Sequence, residues 1–273
     1  MIKNDLSPSA LVEAIEESQR LYFKKLSENL PQAFQEEDSR GISLTWFITG
    51  IKFPMFNGVC RAQISKDKID ETIERVLEPF KFGKIPMFWW IGPSTDPPGL
   101  DKILANHGLK QSGQDYGMAL DLSKLEENIR KPNGFEIKKV QSTYQLIEWL
   151  DAAGPVLGLM PESLGETLKL FDHGFGDNKD LVHYMGMLDG KIVATLSIFY
   201  GGGVAGIYTL ATIPEARGKG IGRMLTQSSL IDSRDNGYSI GVLQSTKIGY
   251  NLFLSLGFKE YCRFDVMYAN FSK

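Results

Sequence analysis

Leu210-Ala211-Thr212-Ile213-Pro214-Glu215-Ala216-Arg217-Gly218-Lys219-Gly220-Ile221-Gly222-Arg223 is the stretch on which this chain turns. An apolar strand-like run ends, a basic glycine-rich loop follows, and an amphipathic helix begins. At such a junction the first backbone N–H groups of the helix have no intrahelical partner. They converge with the positive end of the helix dipole, a combination that suits a phosphate or pyrophosphate. Glycine matters there because a Cβ would hold an anion away from the amides and restrict φ. Arg217, Lys219 and Arg223 add positive charge to a chain whose formal net charge is -3. A phosphate-binding P-loop would need G-x-x-x-x-G-K-[ST], which the sequence lacks. A dinucleotide fingerprint needs G-x-G-x-x-G, and here position 223 is Arg. A nucleotide-binding oxidoreductase is therefore disfavoured.

Working outward, the flanks read as mixed α/β. Upstream, Leu181 to Leu188 and Lys191 to Tyr200 read as strands joined by an Asp189-Gly190 hairpin turn. Gly201-Gly202-Gly203 turns into a third strand, Val204 to Thr212, completing a meander. Before it stand a strand from Phe135 to Val140 and helices from Tyr144 to Ala152 and Glu162 to Phe171. Downstream come a helix from Gly220 to Asn236, a strand from Tyr238 to Gln244, a helix from Ile248 to Leu256, and a last strand from Phe264 to Ala269.

The spacing R-x-x-G-x-G at Arg217, Gly220 and Gly222 resembles motif A of the GCN5-related N-acetyltransferases (GNAT). That family's later Tyr-x-x-x-Gly-Phe signature has its counterpart in Phe253-Leu254-Ser255-Leu256-Gly257-Phe258. The resemblance spans Phe135 to the C-terminus in element order and is strongest from Tyr208 to Phe258. It implies an acyltransferase that binds acetyl-coenzyme A as co-substrate, without a metal. The reaction it implies is direct attack by a primary amine of a small molecule, amino acid or peptide. It also implies a layout. Leu210, Ala211 and Thr212 take the pantetheine arm. Arg217, Gly218, Lys219, Gly220, Ile221, Gly222 and Arg223 hold the pyrophosphate. Thr246 and Phe253 contact the coenzyme, and an amide near Leu210 faces the developing oxyanion.

The departure from the family is Phe253, which replaces a tyrosine and has no proton to give. Tyr250, about one helical turn earlier, and Tyr208 are the candidate catalytic residues. Tyr208, Thr209, His183 and Gln244 are candidates to line the site or hold a water. Asp172 and Glu162 are candidate partners for an ammonium group. Phe47, Phe56, Trp89, Trp90 and Phe199 are candidates for an apolar acceptor pocket, although the continuously apolar run holding the tryptophans reads more readily as core. The competing class is a non-catalytic acyl-coenzyme A sensor or interaction module.

The first half echoes the second. Asn106-His107-Gly108-Leu109-Lys110 resembles Ser255-Leu256-Gly257-Phe258-Lys259, and Met118 and Met267 follow their glycines at the same interval. A helix from Pro8 to Ser27 opens the chain. Strands at 43–49 and 59–64, a helix from an Asp67 N-cap to Phe80, a strand at 86–91, a helix at 101–107 and a strand at 117–122 follow. The expected fold is α/β (α+β): two GNAT-like mixed-sheet domains in tandem, each a mostly antiparallel sheet flanked by helices. Residues 1–131 would be a degenerate copy without a pyrophosphate loop, because only Ser65 and Lys66 separate Ile64 from Asp67. Residues 132–273 would bind acetyl-coenzyme A, with the boundary at the turn Lys131 to Gly134.

Composition limits the alternatives. Of 273 residues, 42% are hydrophobic and 23% charged, which excludes fibrous and disordered classes. Thirty Lys+Arg against 33 Asp+Glu argue against a nucleic-acid partner. Two cysteines make no disulfide framework, and the three histidines lack metal-ligand spacing. No run is long enough to cross a bilayer, and no apolar leader opens the chain. The expectation is a cytoplasmic protein with no membrane partner, and a homodimer is left open.

Overall fold

A computed structural model describes residues 2–30, 32–128, 132–176 and 179–271. In the first half, α1 (Pro8–Ser27) is followed by β1 (Phe34–Ser39), β2 (Ile42–Ile48), β3 (Asn57–Ile64), α2 (Ile69–Gly83), β4 (Met87–Ile91), α3 (Leu100–Asn106) and β5 (Lys110–Asp121). The second half holds β6 (Phe135–Lys139), α4 (Thr143–Leu157), α5 (Leu164–Phe171), β7 (Leu181–Leu188), β8 (Lys191–Gly201) and β9 (Val204–Thr212). It ends with α6 (Ile221–Asp235), β10 (Ile240–Ser245), α7 (Tyr250–Ser255) and β11 (Lys259–Ala269).

Local chemistry accounts for most of these elements. Asp189 and Gly190 have φ of 49° and 77°, the paired left-handed conformation of a tight hairpin turn between β7 and β8. Ser142 caps α4 by accepting from the Gln145 amide at 3.3 Å. Two expectations need correction. Asp67 does not cap α2: the cap is Lys68, with no side-chain bond, and the Asp67 carboxylate is stabilised by Ser65 instead. Strand β1, Phe-Gln-Glu-Glu-Asp-Ser, was not expected, because it shows no apolar alternation. It forms because β2 offers a paired edge from Phe34↔Phe47 to Ser39↔Ile42. Arg20 and Lys24 meet Glu36, and Arg75 meets Glu37, which holds its acidic side chains.

The chain forms two compact units, neither of them contiguous. One comprises Met1–Ser18 and Gly117–Tyr261, the other Gln19–Tyr116 and Cys262–Lys273. The expected division at 131/132 differs from this, and Lys131 itself lies outside the described residues. In the second unit the strand order is β1-β2-β3-β4-β11, and in the first it is β5-β10-β9-β8-β7-β6. Both show the same succession. Antiparallel strands lead to a strand, then a helix, then a parallel neighbour: β3–α2–β4 in one and β9–α6–β10 in the other. A short helix and a closing strand follow. Met118 and Met267 do sit in closing strands, buried at 0% and 3% exposure. Each strand closes the sheet of the opposite half: residues 117–121 belong with β10, and residues 265–269 pair with β4.

The second unit's core packs β3 and β4 against α2 through Val59, Ala62, Ile73, Leu77, Phe80 and Trp89. In the first unit, Trp149, Phe171, Leu196, Leu225 and Phe258 are almost fully buried. The Trp149 indole N–H donates to the Tyr184 carbonyl at 2.9 Å, so this large core residue leaves no polar group unpaired. Neither cysteine takes part in a disulfide, and Cys60 is buried. Among the described residues no helix is long and apolar enough to cross a membrane, and no group of three or more His, Cys, Asp or Glu could hold a metal.

Candidate functional site

Strands β9 and β10 run parallel but stay together only briefly. Their ladder consists of Gly241↔Ala205 and Val242↔Gly206, after which β9 continues to Thr212 and β10 to Ser245 without pairing. The result is a wedge open toward the N-terminus of α6. On its other edge β9 carries a bulge. Ala211 pairs with Thr195 and Tyr208 with Ser197, so Thr209 and Leu210 together stand opposite Leu196. Thr209 has φ of 50°, a left-handed conformation that a β-branched residue adopts only when its surroundings enforce it.

Those surroundings form a hydrogen-bonded chain. His183 Nε2 lies 3.0 Å from the Phe171 carbonyl, which can only accept, so Nε2 carries the proton. Burial pushes the His183 imidazole down to about 4, against the opposing Phe171 hydrogen bond, and the ring is neutral at neutral pH. Its Nδ1 therefore accepts from the Ser197 hydroxyl at 2.8 Å. Ser197 Oγ in turn accepts from Thr209 Oγ1 at 2.6 Å. The Thr209 proton points to Ser197, which leaves that oxygen as an acceptor at the half-buried bulge. Sequence reading named His183 and Thr209 but missed Ser197, because no local signal links three strands.

The loop beyond β9 has the form its glycines require. Gly218 and Gly220 have φ of 75° and 73°, and a Cβ on either would meet nothing within 4 Å. Their role is conformational, and the space above them is open. Gly222 differs, since its Cβ would come within 3.1 Å of Thr212 Oγ1, so it lets α6 approach β9. The amides of Ala216 and Arg217 close a turn onto Ile213 and Pro214, and the first backbone bond of α6 is Met224 N to Gly220 O. Among the described residues, no protein acceptor is found for the amides from Gly218 to Arg223. The Arg217 guanidinium is anchored on the Thr212 carbonyl at 3.0 Å. Lys219 is exposed, and Arg223 faces Glu126 at 3.7 Å. These six open amides and the open space above the glycines fit a pyrophosphate.

The remaining candidates are distributed as follows. The Tyr208 hydroxyl lies 2.9 Å from Ser18 of α1, and the Gln244 amide donates to the Ile15 carbonyl of the same helix at 2.9 Å. No sequence signal could have found this, because these partners are separated by 190 and 229 residues. Tyr250 donates its hydroxyl proton to Glu260 at 2.8 Å. Phe253 is a core residue, edge-on to Phe258 at 5.7 Å. Thr246 is exposed in the turn before α7, its carbonyl accepting from the Gly249 and Tyr250 amides. Asp172 is occupied as a local brace, accepting from Thr143 at 2.9 Å and from the Gly174 amide at 3.2 Å, and Glu162 is exposed. The aromatic candidates are divided between the two units. Phe47, Phe56, Trp89 and Trp90 are core residues of the second unit, Phe47 stacking on Phe23 at 4.1 Å, whereas Phe199 belongs to the first.

The second unit treats the corresponding place differently. Strands β3 and β4 also part after two pairs, Gly58↔Phe88 and Val59↔Trp89. There the chain itself occupies the free edge of β3. The Asp96 amide donates to Ala62 O at 3.0 Å, the Ile64 amide to Asp96 O at 2.9 Å, and the Gln63 amide group to Ser94 O at 3.0 Å. The turn into α2 has no glycine, and two of its amides are bonded, Ser65 N to Gly41 O of the β1–β2 turn and Lys68 N to Ser65 O.

Residues 144–258 match the model of the Acetyltransferase (GNAT) family. A GCN5-related N-acetyltransferase from Kribbella flavida superimposes with a TM-score of 0.67 at 14% identity, over 91% of this chain and 94% of that one. A functionally unknown conserved protein from Staphylococcus epidermidis gives 0.66 at 11% identity, over 89% and 97%. A tandem GNAT protein from the clavulanic acid biosynthesis pathway gives 0.59 at 13% identity, over 100% and 98%. No curated protein sequence matches the chain. The fold is thus the mixed α/β fold of GNAT proteins, and a domain of this kind supports acyl transfer from an acyl-coenzyme A.

Proposed function

We propose that this protein is an N-acetyltransferase that moves an acetyl or other short acyl group from acetyl-coenzyme A to a primary amine of a small molecule, amino acid or peptide. The observation that carries the reading is the open edge of β9 leading straight to the unbonded amides of Gly218 to Arg223. In this reading those amides, with Arg217 and Lys219, hold the pyrophosphate, and Leu210, Ala211 and Thr212 offer main-chain groups to the pantetheine arm. The bulge turns the Leu210 amide toward the thioester carbonyl, where a fixed donor stabilises the developing oxyanion. Thr209, its own proton committed to Ser197, accepts an N–H of the incoming amine and orients its lone pair. The amine nitrogen bonds to the carbonyl carbon, the C–S bond breaks, and the surplus ammonium proton passes to water. Coenzyme A leaves as a thiolate, an acceptable leaving group since a thiol titrates at only roughly 8.5. Neither Phe253 nor Tyr250 supplies a proton at this step, the latter being turned to Glu260.

The Gln19–Tyr116 unit is, in this reading, a diverged companion without coenzyme, since Ser94 to Asp96 lie where a pantetheine arm would bond β3. A thiol-release assay with acetyl-coenzyme A and a panel of amines, amino acids and peptides tests the proposal. A second reading, a non-catalytic acyl-coenzyme A sensor, is favoured by the burial of Phe253. The sensor would bind coenzyme A and release no thiol with any amine.

A further inference from the structure

We propose that helix α1 closes the inner end of the acyl slot, and that the ring of Tyr208, anchored by Ser18, restricts the transferred group to a short acyl chain. The inference rests on the reading that the acyl-coenzyme A arm lies along β9. Its basis is where α1 meets the parted strands. Ile15 and Ser18 are three residues apart, on one face of the helix, and both are fully buried. The Ile15 carbonyl accepts from Gln244 on β10, and the Ser18 hydroxyl meets Tyr208 on β9. One helix face therefore ties the two strands together just past Val242↔Gly206, the last pair before they diverge.

No room is left on that face of the apex. A Cβ on Gly206 would stand 2.5 Å from Ser18 Oγ and 2.7 Å from Tyr208 Cε2. Gly206 thus allows the helix and the ring to press onto the strand where a side chain would have kept a gap. The open end of the wedge lies at the α6 amides, and the bulge at Thr209 and Leu210 lies between that end and Tyr208. An arm entering from the amides brings its thioester to the bulge. Strand residues advance by roughly 3.3 Å, so Tyr208 is the next group an acyl chain meets. An acetyl ends before the ring, whereas a longer chain runs into it. A permissive slot would instead favour longer chains, because each added methylene gains from burial. A preference for acetyl is the signature of the wall.

Isothermal titration of the full chain with coenzyme A, acetyl-coenzyme A and hexanoyl-coenzyme A tests this. The wild type is expected to bind acetyl-coenzyme A about tenfold or more tightly than hexanoyl-coenzyme A. In Tyr208→Ala the two should come within about threefold, and Ser18→Ala, which frees the ring, should fall between. Melting temperatures report whether each variant is folded. Equal binding of the two thioesters by the wild type overturns the proposal, as does an unchanged ratio in folded Tyr208→Ala. Should Tyr208→Ala not fold, an unchanged ratio in Ser18→Ala overturns it. Failure of the wild type to bind any of the three compounds defeats the coenzyme reading itself and this proposal with it. Binding of all three without discrimination defeats only the size limit.

Discussion

His183 Nδ1 lies 2.8 Å from the Ser197 hydroxyl, deep beneath the bulge that carries Thr209. Because burial holds this imidazole down to about 4, the unfolded chain takes up a proton below its ordinary 6.5 that the folded chain refuses until about 4. Stability is therefore lost as pH falls through that window, by up to about 3 kcal/mol. Urea unfolding at pH 7 and pH 4.5 should show the loss, and His183→Gln should flatten it.

Asp115 works in the opposite direction. Burial pushes its carboxyl up to about 6, against a hydrogen bond from Trp90, so the folded protein keeps a proton that the unfolded chain releases above 3.8. Its contribution falls as pH rises from about 4 to 6 and is absent in Asp115→Asn. The variant should gain stability at pH 7 relative to pH 4 compared with the wild type, by about 2 to 3 kcal/mol on urea titration.

Two glycines should respond in contrasting ways. A Cβ on Gly58 would lie 1.9 Å from the Phe88 carbonyl oxygen, where β3 and β4 meet. Gly58→Ala should cost more than about 3 kcal/mol of unfolding free energy or prevent soluble expression. Gly220 has nothing within 4 Å of its would-be Cβ. Gly220→Trp should cost only about 1 to 2 kcal/mol, for the left-handed backbone. It should nevertheless abolish the thermal shift produced by coenzyme A, because the indole covers the open amides.

Tyr250 gives its hydroxyl proton to Glu260 at 2.8 Å. Tyr250→Phe should therefore retain turnover in a thiol-release assay to within about threefold. A loss of a hundredfold would restore it as the acid that protonates the leaving thiolate.

Cys60 is buried, and the loss of solvation pushes its thiol up to about 12. It should resist a thiol reagent in the native protein and react on unfolding, as counted by absorbance with and without denaturant.

Much of the site was legible from local chemistry. The meander, its Asp189-Gly190 turn and the loop from Arg217 to Arg223 were all readable, because strand alternation and left-handed glycines leave their mark within a few residues. The bulge was not, because Thr209 carries no sign of its conformation. Strand β1 was missed for a related reason, as Glu36 and Glu37 read as solvated until Arg20, Lys24 and Arg75 are brought to them. For the aromatic residues, hydrophobicity tells that Trp89 and Phe47 are buried, and not among what.

By itself, then, the sequence determined the class of fold and the position of the glycine-rich loop that opens α6, through spacings that backbone sterics and helix-end chemistry demand of any chain. Only the tertiary structure decided that β5 and β11 close the sheet of the opposite half, and that α1 lies across β9 and β10 at their parting. It alone decided that His183 and Ser197 support Thr209. Those arrangements depend on hydrogen bonds and packing between residues up to 229 positions apart, which are settled by what the whole chain can bury and pair, not by any segment.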